Sequence, residues 1–211
     1  VALKAIVFDF GGVLMDWDPR YLYSRIFDGN EAAMERFLAE VGFFDWNARQ
    51  DAGRSFSVAV EELSARYPHY AGLIQAYDAR WEESLGGPIW GTVAILKALH
   101  RAGFPLYALS NWSAEKFPLV RRKFDFFDWF EDIVLSGEMR LIKPDPRIFT
   151  AFLERIKLTA PECLLIDDSQ ANLEAAREMG FHTLHFQSPQ QLGGELVRLQ
   201  LLLSGAVSGI S

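Results

Sequence analysis

Three short apolar runs in this chain stop at polar residues capable of chemistry, and helix-length stretches separate them. Ala5-Ile6-Val7-Phe8 ends at Asp9, with Phe10-Gly11-Gly12-Val13-Leu14 directly after it. Pro105 to Ser110 ends in Ser110-Asn111, and Cys163 to Ile166 ends in Asp167-Asp168. Apolar runs without alternation read as strands buried on both faces, and strands spaced by helices read as βαβ units of a parallel sheet. Right-handed crossovers bring the carboxyl ends of such strands to one edge, which is where ligands bind. The chain is therefore expected to be α/β, with Asp9, Ser110, Asn111, Asp167 and Asp168 gathered on that edge. Lys143, in Ile142-Lys143-Pro144-Asp145-Pro146, precedes a predicted helix and is expected to join them.

The remaining pattern fits this frame. Further strands are predicted at 132–135 and 181–186. Helices are predicted at 92–102, after Asn111 through Lys123, and at 146–157, 171–179 and 190–203. The stretch from 16 to 87 differs: it carries helix-like periods at 31–41 and 58–67 and is dense in aromatics, and Gly86-Gly87-Pro88 punctuates its end. It reads as a small helical module inserted after the first strand, leaving 1–15 and 88–211 as the α/β core. Within it, Phe43-Phe44-Asp45-Trp46, followed by Arg49 and Asp51-Ala52-Gly53, is expected to face the site. Trp46 and Arg49 are the candidates for contacting substrate.

Composition removes several classes. The formal charge of −7 disfavours nucleic acid and anionic membrane as partners, which need clustered Lys and Arg, but leaves room for a small anionic substrate. The single cysteine, Cys163, excludes an intrachain disulfide and reads as a small buried hydrophobe. His182 and His185 fall on opposite faces of a predicted strand, which argues against a histidine metal site. No apolar stretch approaches the ~20 residues that span a bilayer. Asp9 interrupts the opening run as a signal sequence, so a cytoplasmic location is expected. The apolar end at Leu199 to Leu203 is suited to packing on the core or on a second copy, which leaves a homodimer open.

Carboxylates arriving from separate strands make a hard oxygen site suited to Mg²⁺. Beside it, Lys143 and the Ser110 hydroxyl can hold phosphoryl oxygens while Asp9 attacks phosphorus, a known covalent route for carboxylates.

These residues together resemble the haloacid dehalogenase-like hydrolases, in the branch with a helical cap after the first strand. The resemblance rests on Val7-Phe8-Asp9-Phe10-Gly11-Gly12-Val13-Leu14, Leu109-Ser110-Asn111, Lys143-Pro144-Asp145-Pro146-Arg147-Ile148-Phe149 and Leu165-Ile166-Asp167-Asp168-Ser169-Gln170-Ala171-Asn172. It implies a Rossmann-like core with Asp9 as nucleophile and Mg²⁺ held by Asp9, Asp168 and the Gly11 carbonyl, with Asp167 assisting. It further implies that Ser110 and Lys143 bind the transferring group and that Asn172 braces its turn. The cap would open and close about hinges near 15–19 and 86–88.

One position departs from the family's usual pattern. Gly11 stands where most phosphatases of this kind carry a second aspartate that acts as acid and base. Asp16 and Asp18 are the nearby carboxylates available to substitute, but they read more simply as solvated linker residues. The opening motif resembles sugar-1-phosphatase-type members that share this glycine. The leading expectation is thus a Mg²⁺-dependent phosphatase of a small phosphorylated metabolite such as a sugar phosphate. The alternatives are a 2-haloacid dehalogenase, whose leaving halide needs no acid, and a non-catalytic binding protein of the same fold.

Overall fold

A computed structural model describes residues 3–203 and 205 of the protein. After β1 (Ala5–Phe8) come a short β2 (Met15–Trp17) and five helices: α1 (Pro19–Ile26), α2 (Glu31–Glu40), α3 (Phe43–Asp51), α4 (Phe56–Arg66) and α5 (Ala71–Ala79). β3 (Leu85–Pro88) leads to α6 (Trp90–Arg101), β4 (Leu106–Ser110), α7 (Phe117–Arg121), β5 (Asp132–Leu135), α8 (Ser136–Met139) and α9 (Pro146–Ile156). β6 (Cys163–Asp167), α10 (Gln170–Glu178), β7 (His182–His185) and α11 (Pro189–Arg198) follow among the described residues.

Five strands form one sheet in the order β5-β4-β1-β6-β7, and every neighbouring pair is parallel. β1 occupies the centre because both of its faces are apolar. Ala5 and Val7 pack with residues of α9 and α10, while Ile6 and Phe8 pack in the cluster that holds α6 and α11. This period-2 division between two helical layers is what a fully buried strand requires. The sheet order places the ends of β4 and β6 on either side of the end of β1, so the chain reverses its winding at Asp9.

The helices between β2 and β3 have an aromatic core of their own. Tyr23 lies at 4.9 Å from Phe37, and Phe43 at 4.8 Å from Tyr77, ring centre to ring centre. β2 and β3 pair antiparallel, so the chain enters and leaves this block through one two-stranded ribbon. The block is seated on the α/β core at several points. Glu115 accepts a hydrogen bond from the Phe56 amide at the start of α4 (3.2 Å). The buried Lys116 ammonium reaches Asp78 at 2.5 Å and lies 4.4 Å from the centre of the Phe56 ring.

Two helices are shorter than the sequence pattern suggests. The one after Asn111 is confined to Phe117–Arg121, because Trp112 donates its amide to Ser136 Oγ and the segment serves the sheet edge. The last ends at Arg198, where Gln200 adopts a left-handed conformation (φ 60°) and the amides of Leu201 and Leu202 turn back to the Leu196 carbonyl. Leu202 consequently packs on the core, whereas Leu203 is 81% exposed.

Gly53 marks how closely the block approaches the core. Its φ is +92°, and a Cβ there would lie 2.7 Å from the Gly137 carbonyl oxygen. Gly53→Ala is expected to destabilise the protein by about 1–3 kcal/mol, combining backbone strain with a clash against main chain. Urea denaturation monitored by circular dichroism measures this.

Candidate active site

Asp9 follows β1 directly and is 7% exposed. Its amide donates to the Ile166 carbonyl (2.9 Å), which fixes it to the end of β6. Its Oδ1 accepts from Ser110 Oγ (2.7 Å) and from the Phe10 amide (2.7 Å), and its Oδ2 lies 3.1 Å from Lys143 Nζ. The same ammonium donates to Asp167 Oδ2 at 2.6 Å. Asp167 is fully buried and richly supplied with donors: Ser169 N reaches Oδ1 at 2.8 Å, and Asn172 Nδ2 reaches both oxygens at 3.0 and 3.2 Å. Asn111 locks the lysine's backbone, its Oδ1 accepting from Lys143 N (2.9 Å) and its Nδ2 donating to Lys143 O (3.0 Å).

Charge explains the behaviour of this group. Burial raises the Asp9 carboxyl, Lys143 and Ser110 pull it back, Asp167 and Asp168 push it up, and it settles at about 7. Burial would lower Lys143, but the Asp9 and Asp167 carboxylates outweigh it and the ammonium is raised. Asp168 is also raised, by burial and then by Asp167. Oxygens of Asp9, Asp167 and Asp168 lie within 4.8 Å of one another. Three carboxylates facing one ammonium leave two formal negative charges. A divalent, oxygen-seeking cation such as Mg²⁺ fits both this donor set and this charge. Gly12 makes the arrangement possible, since a Cβ there (φ +71°) would sit 2.2 Å from Asp168 Oδ2. At Gly11, by contrast, a Cβ would meet nothing within 4 Å.

A cavity of about 100 Å³ lies over this edge, lined by Gly11, Asn111, Trp17, Asn47, Asp51, Trp81 and Trp112. Trp46 and Arg49 are not among its walls. Trp46 is buried in the aromatic core of the helical block with its Nε1 donating to the Ala59 carbonyl, and both residues line a separate hollow between α2, α3 and α4. The reason is helical phase: Asn47 and Asp51, four residues apart, occupy the face of α3 that meets the core, and Trp46 and Arg49 the other. Asn47 and Asp51 at this spacing mark the face of α3 that lines the cavity. The three tryptophans come from three separate segments and share no local pattern.

Asp16 and Asp18 are engaged elsewhere. Asp16 accepts from the Tyr21 hydroxyl at 2.7 Å, and Asp18 caps α1 by accepting from the Arg20 amide at 2.8 Å. His182 and His185 are both exposed on the edge strand β7, where His185 Nε2 lies 3.0 Å from the Asp168 carbonyl oxygen. Cys163 is buried as expected, and burial pushes its thiol up to about 12. Among the described residues, no helix is long and apolar enough to cross a membrane.

Comparison with known proteins agrees with this geometry. A family model of haloacid dehalogenase-like hydrolases matches residues 3–180. The sesquiterpene phosphatase astK of Aspergillus oryzae is 26% identical over 190 residues, covering 86% of this chain and 89% of that protein. A D-ribitol-5-phosphate phosphatase of Bacteroides thetaiotaomicron is 26% identical over 207 residues, covering 86% and 90% respectively. A solved HAD-family enzyme from Bacteroides thetaiotaomicron, in complex with magnesium and inorganic phosphate, superposes with a TM-score of 0.67 at 26% identity. That superposition covers 89% of this chain and 96% of that one.

Two outcomes follow from the geometry. Gly12→Ala is expected to displace the Asp168 carboxylate and weaken Mg²⁺ binding at least about tenfold, as disturbed metal ligation does, measured by isothermal titration calorimetry. Asp51 is raised from 3.8 to about 7, first by burial and then by the Asp9 charge, with the Ser113 amide opposing. The fold thus keeps a proton that the unfolded chain has already released, so wild-type stability falls as pH rises from about 4 to about 7. Asp51→Asn removes that loss. Its melting temperature is expected to exceed the wild-type value at pH 8, with the gap closing towards pH 4.

Proposed function

The chain belongs to the haloacid dehalogenase-like hydrolases, and we propose that it is a Mg²⁺-dependent phosphatase of small phosphorylated metabolites that carries the phosphoryl group on Asp9. The observation that supports this most strongly is the contact set of Asp9: a buried carboxylate flanked by the Ser110 hydroxyl and the Lys143 ammonium, beside two further carboxylates.

In this reading Asp9 attacks phosphorus in line with the departing oxygen. Lys143 and Ser110 bind the non-bridging oxygens, and Lys143 also favours the ionised form of Asp9 and aims it. Asn111 acts on the lysine's backbone and so positions it. Asp167 anchors the ammonium through its own dense set of donors. Asp9, Asp168 and the Gly11 carbonyl would hold Mg²⁺, which when bound would supply charge neutralisation for the phosphoryl group. The helices between β2 and β3 act as a cap, flexing at the β2–β3 ribbon and excluding bulk water from the reacting centre. Positioning and charge complementarity do most of the work in phosphoryl transfer, which suits a site made of pre-aimed groups.

The cavity is small and walled by indoles. That favours a compact organic group with an apolar face, such as the C–H face of a sugar or polyol, consistent with a relative that is a ribitol-phosphate phosphatase. The uncompensated charge on the three carboxylates favours this reading over a cation-free dehalogenase. The convergence of Asp9, Ser110 and Lys143 favours it over a binding protein.

The test is phosphate release from a panel of sugar and polyol phosphates by purified protein. Release is expected with Mg²⁺, is expected to stop with EDTA and to return on Mg²⁺ addition, and is expected to be lost in Asp9→Asn. Chloride release from 2-haloacids without metal would be the contrary result.

A further inference from the structure

Phosphate esters of ordinary alcohols leave as poor alkoxides, and a positioned proton donor accelerates such steps by about 10²–10⁴. Among the described residues, the sheet edge offers no proton donor that is not already engaged, Asp168 being taken here as a Mg²⁺ ligand. Lys143 is shared between Asp9 and Asp167, and Asp167 is saturated with hydrogen bonds. Gly11 contributes no side chain, and the space beside its α-carbon is open. Among the residues lining the cavity, Asp51 is the one acid.

Asp51 is also held as an aimed group would be. The Tyr77 hydroxyl donates to Asn47 Oδ1 (3.0 Å), and Asn47 Nδ2 donates to Asp51 Oδ2 (3.0 Å). The Ser113 amide reaches the same carboxyl from the core side, and Ser136 Oγ donates to the Asp51 main-chain oxygen. The carboxyl is therefore fixed by Asn47 of the helical block and by the loop after β4, while the first residue of α8 holds its backbone. On the cavity wall beside it, Trp112 is 5% exposed and its Nε1 has no hydrogen-bond partner.

On the phosphatase reading above, we propose that Asp51 is the acid and base of the reaction. As Asp9 bonds to phosphorus, the bond from phosphorus to the ester oxygen breaks, and its electron pair takes the Asp51 proton, releasing a neutral alcohol. Water then attacks the phosphoryl group on Asp9 and gives a proton to the Asp51 carboxylate. The Asp9–phosphorus bond breaks, which returns ionised Asp9, phosphate and protonated Asp51. The charged and titratable groups facing Asp51 are Asp9 across the strand ends and Tyr77 behind Asn47. Burial and the Asp9 charge keep the Asp51 carboxyl protonated up to about pH 7, as an acid of this kind needs. The leaving group served is an unactivated alcohol, so the substrate need not be an anomeric phosphate.

Two probes of similar shape test this: phenyl phosphate, whose leaving group needs a proton, and 4-nitrophenyl phosphate, whose leaving group does not. In Asp51→Asn, kcat/KM for phenyl phosphate is expected to fall about 10²-fold and that for 4-nitrophenyl phosphate by less than about tenfold. With 4-nitrophenyl phosphate the variant is expected to show a stoichiometric burst of 4-nitrophenol before slow turnover, since loss of the base traps phosphorylated Asp9. In wild-type protein, kcat/KM for phenyl phosphate is expected to fall as pH rises through about 7, a limb absent for 4-nitrophenyl phosphate; this needs no variant to fold. Equal losses on both probes, or identical pH limbs, would overturn the role of Asp51 while leaving the phosphatase reading intact. Wild-type protein that hydrolyses neither probe with Mg²⁺ would overturn the phosphatase reading itself.

Discussion

The ammonium of Lys143 bridges the Asp9 and Asp167 carboxylates at the edge of a parallel sheet, with Asp168 beside them, and much of the surrounding structure holds it there. An unpaired buried ammonium is costly, and so is a buried carboxylate without a cation. Each is tolerable here because the other is within hydrogen-bond reach. Three separate segments must meet for this: the end of β1 for Asp9, the end of β6 for Asp167, and the loop before α9 for Lys143. Adjacent parallel strands bring the first two together, and the Asn111 carboxamide ties the third to the end of β4. The one ammonium does not balance the three carboxylates, and the remaining charge is what makes the site receptive to a divalent cation.

The helical block completes what the sheet edge begins. Its docking points are polar and local, at Glu115, Lys116, Ser136 and Gly137. They bring the end of α3 directly over the strand ends. This encloses a small cavity whose walls come from both parts, indoles on most sides and one carboxyl from α3. A site divided in this way lets the core carry the covalent chemistry while the block shapes what can enter. On the proposed mechanism, closure of the block both excludes water and delivers the acid.

Features fixed by strand position are legible in the sequence. β1, β4 and β6 are buried on both faces, so they appear as unbroken apolar runs, and the residue after each run lands on the sheet edge. The helical block was harder to read. α3 carries Phe43, Trp46 and the pair Asn47 and Asp51 within three turns, and apolar periodicity alone does not say which face meets the core. Trp46 and Arg49 look like substrate contacts by composition, yet the aromatic core of the block claims the indole and leaves Arg49 exposed. Trp17, Trp81 and Trp112 converge only through tertiary packing, which no local spacing records. Gly12 and Gly11 look alike in sequence, but the first is required by the approach of Asp168 and the second faces open space.

In the proposed mechanism Asp9 itself carries the phosphoryl group. Rapid acid quench of enzyme turning over 4-nitrophenyl phosphate with Mg²⁺, followed by mass spectrometry of its proteolytic peptides, tests this directly. A phosphoryl adduct on Asp9 that appears before phosphate release and decays with turnover is the predicted result. Turnover with no adduct, or with the adduct on another residue, would contradict it.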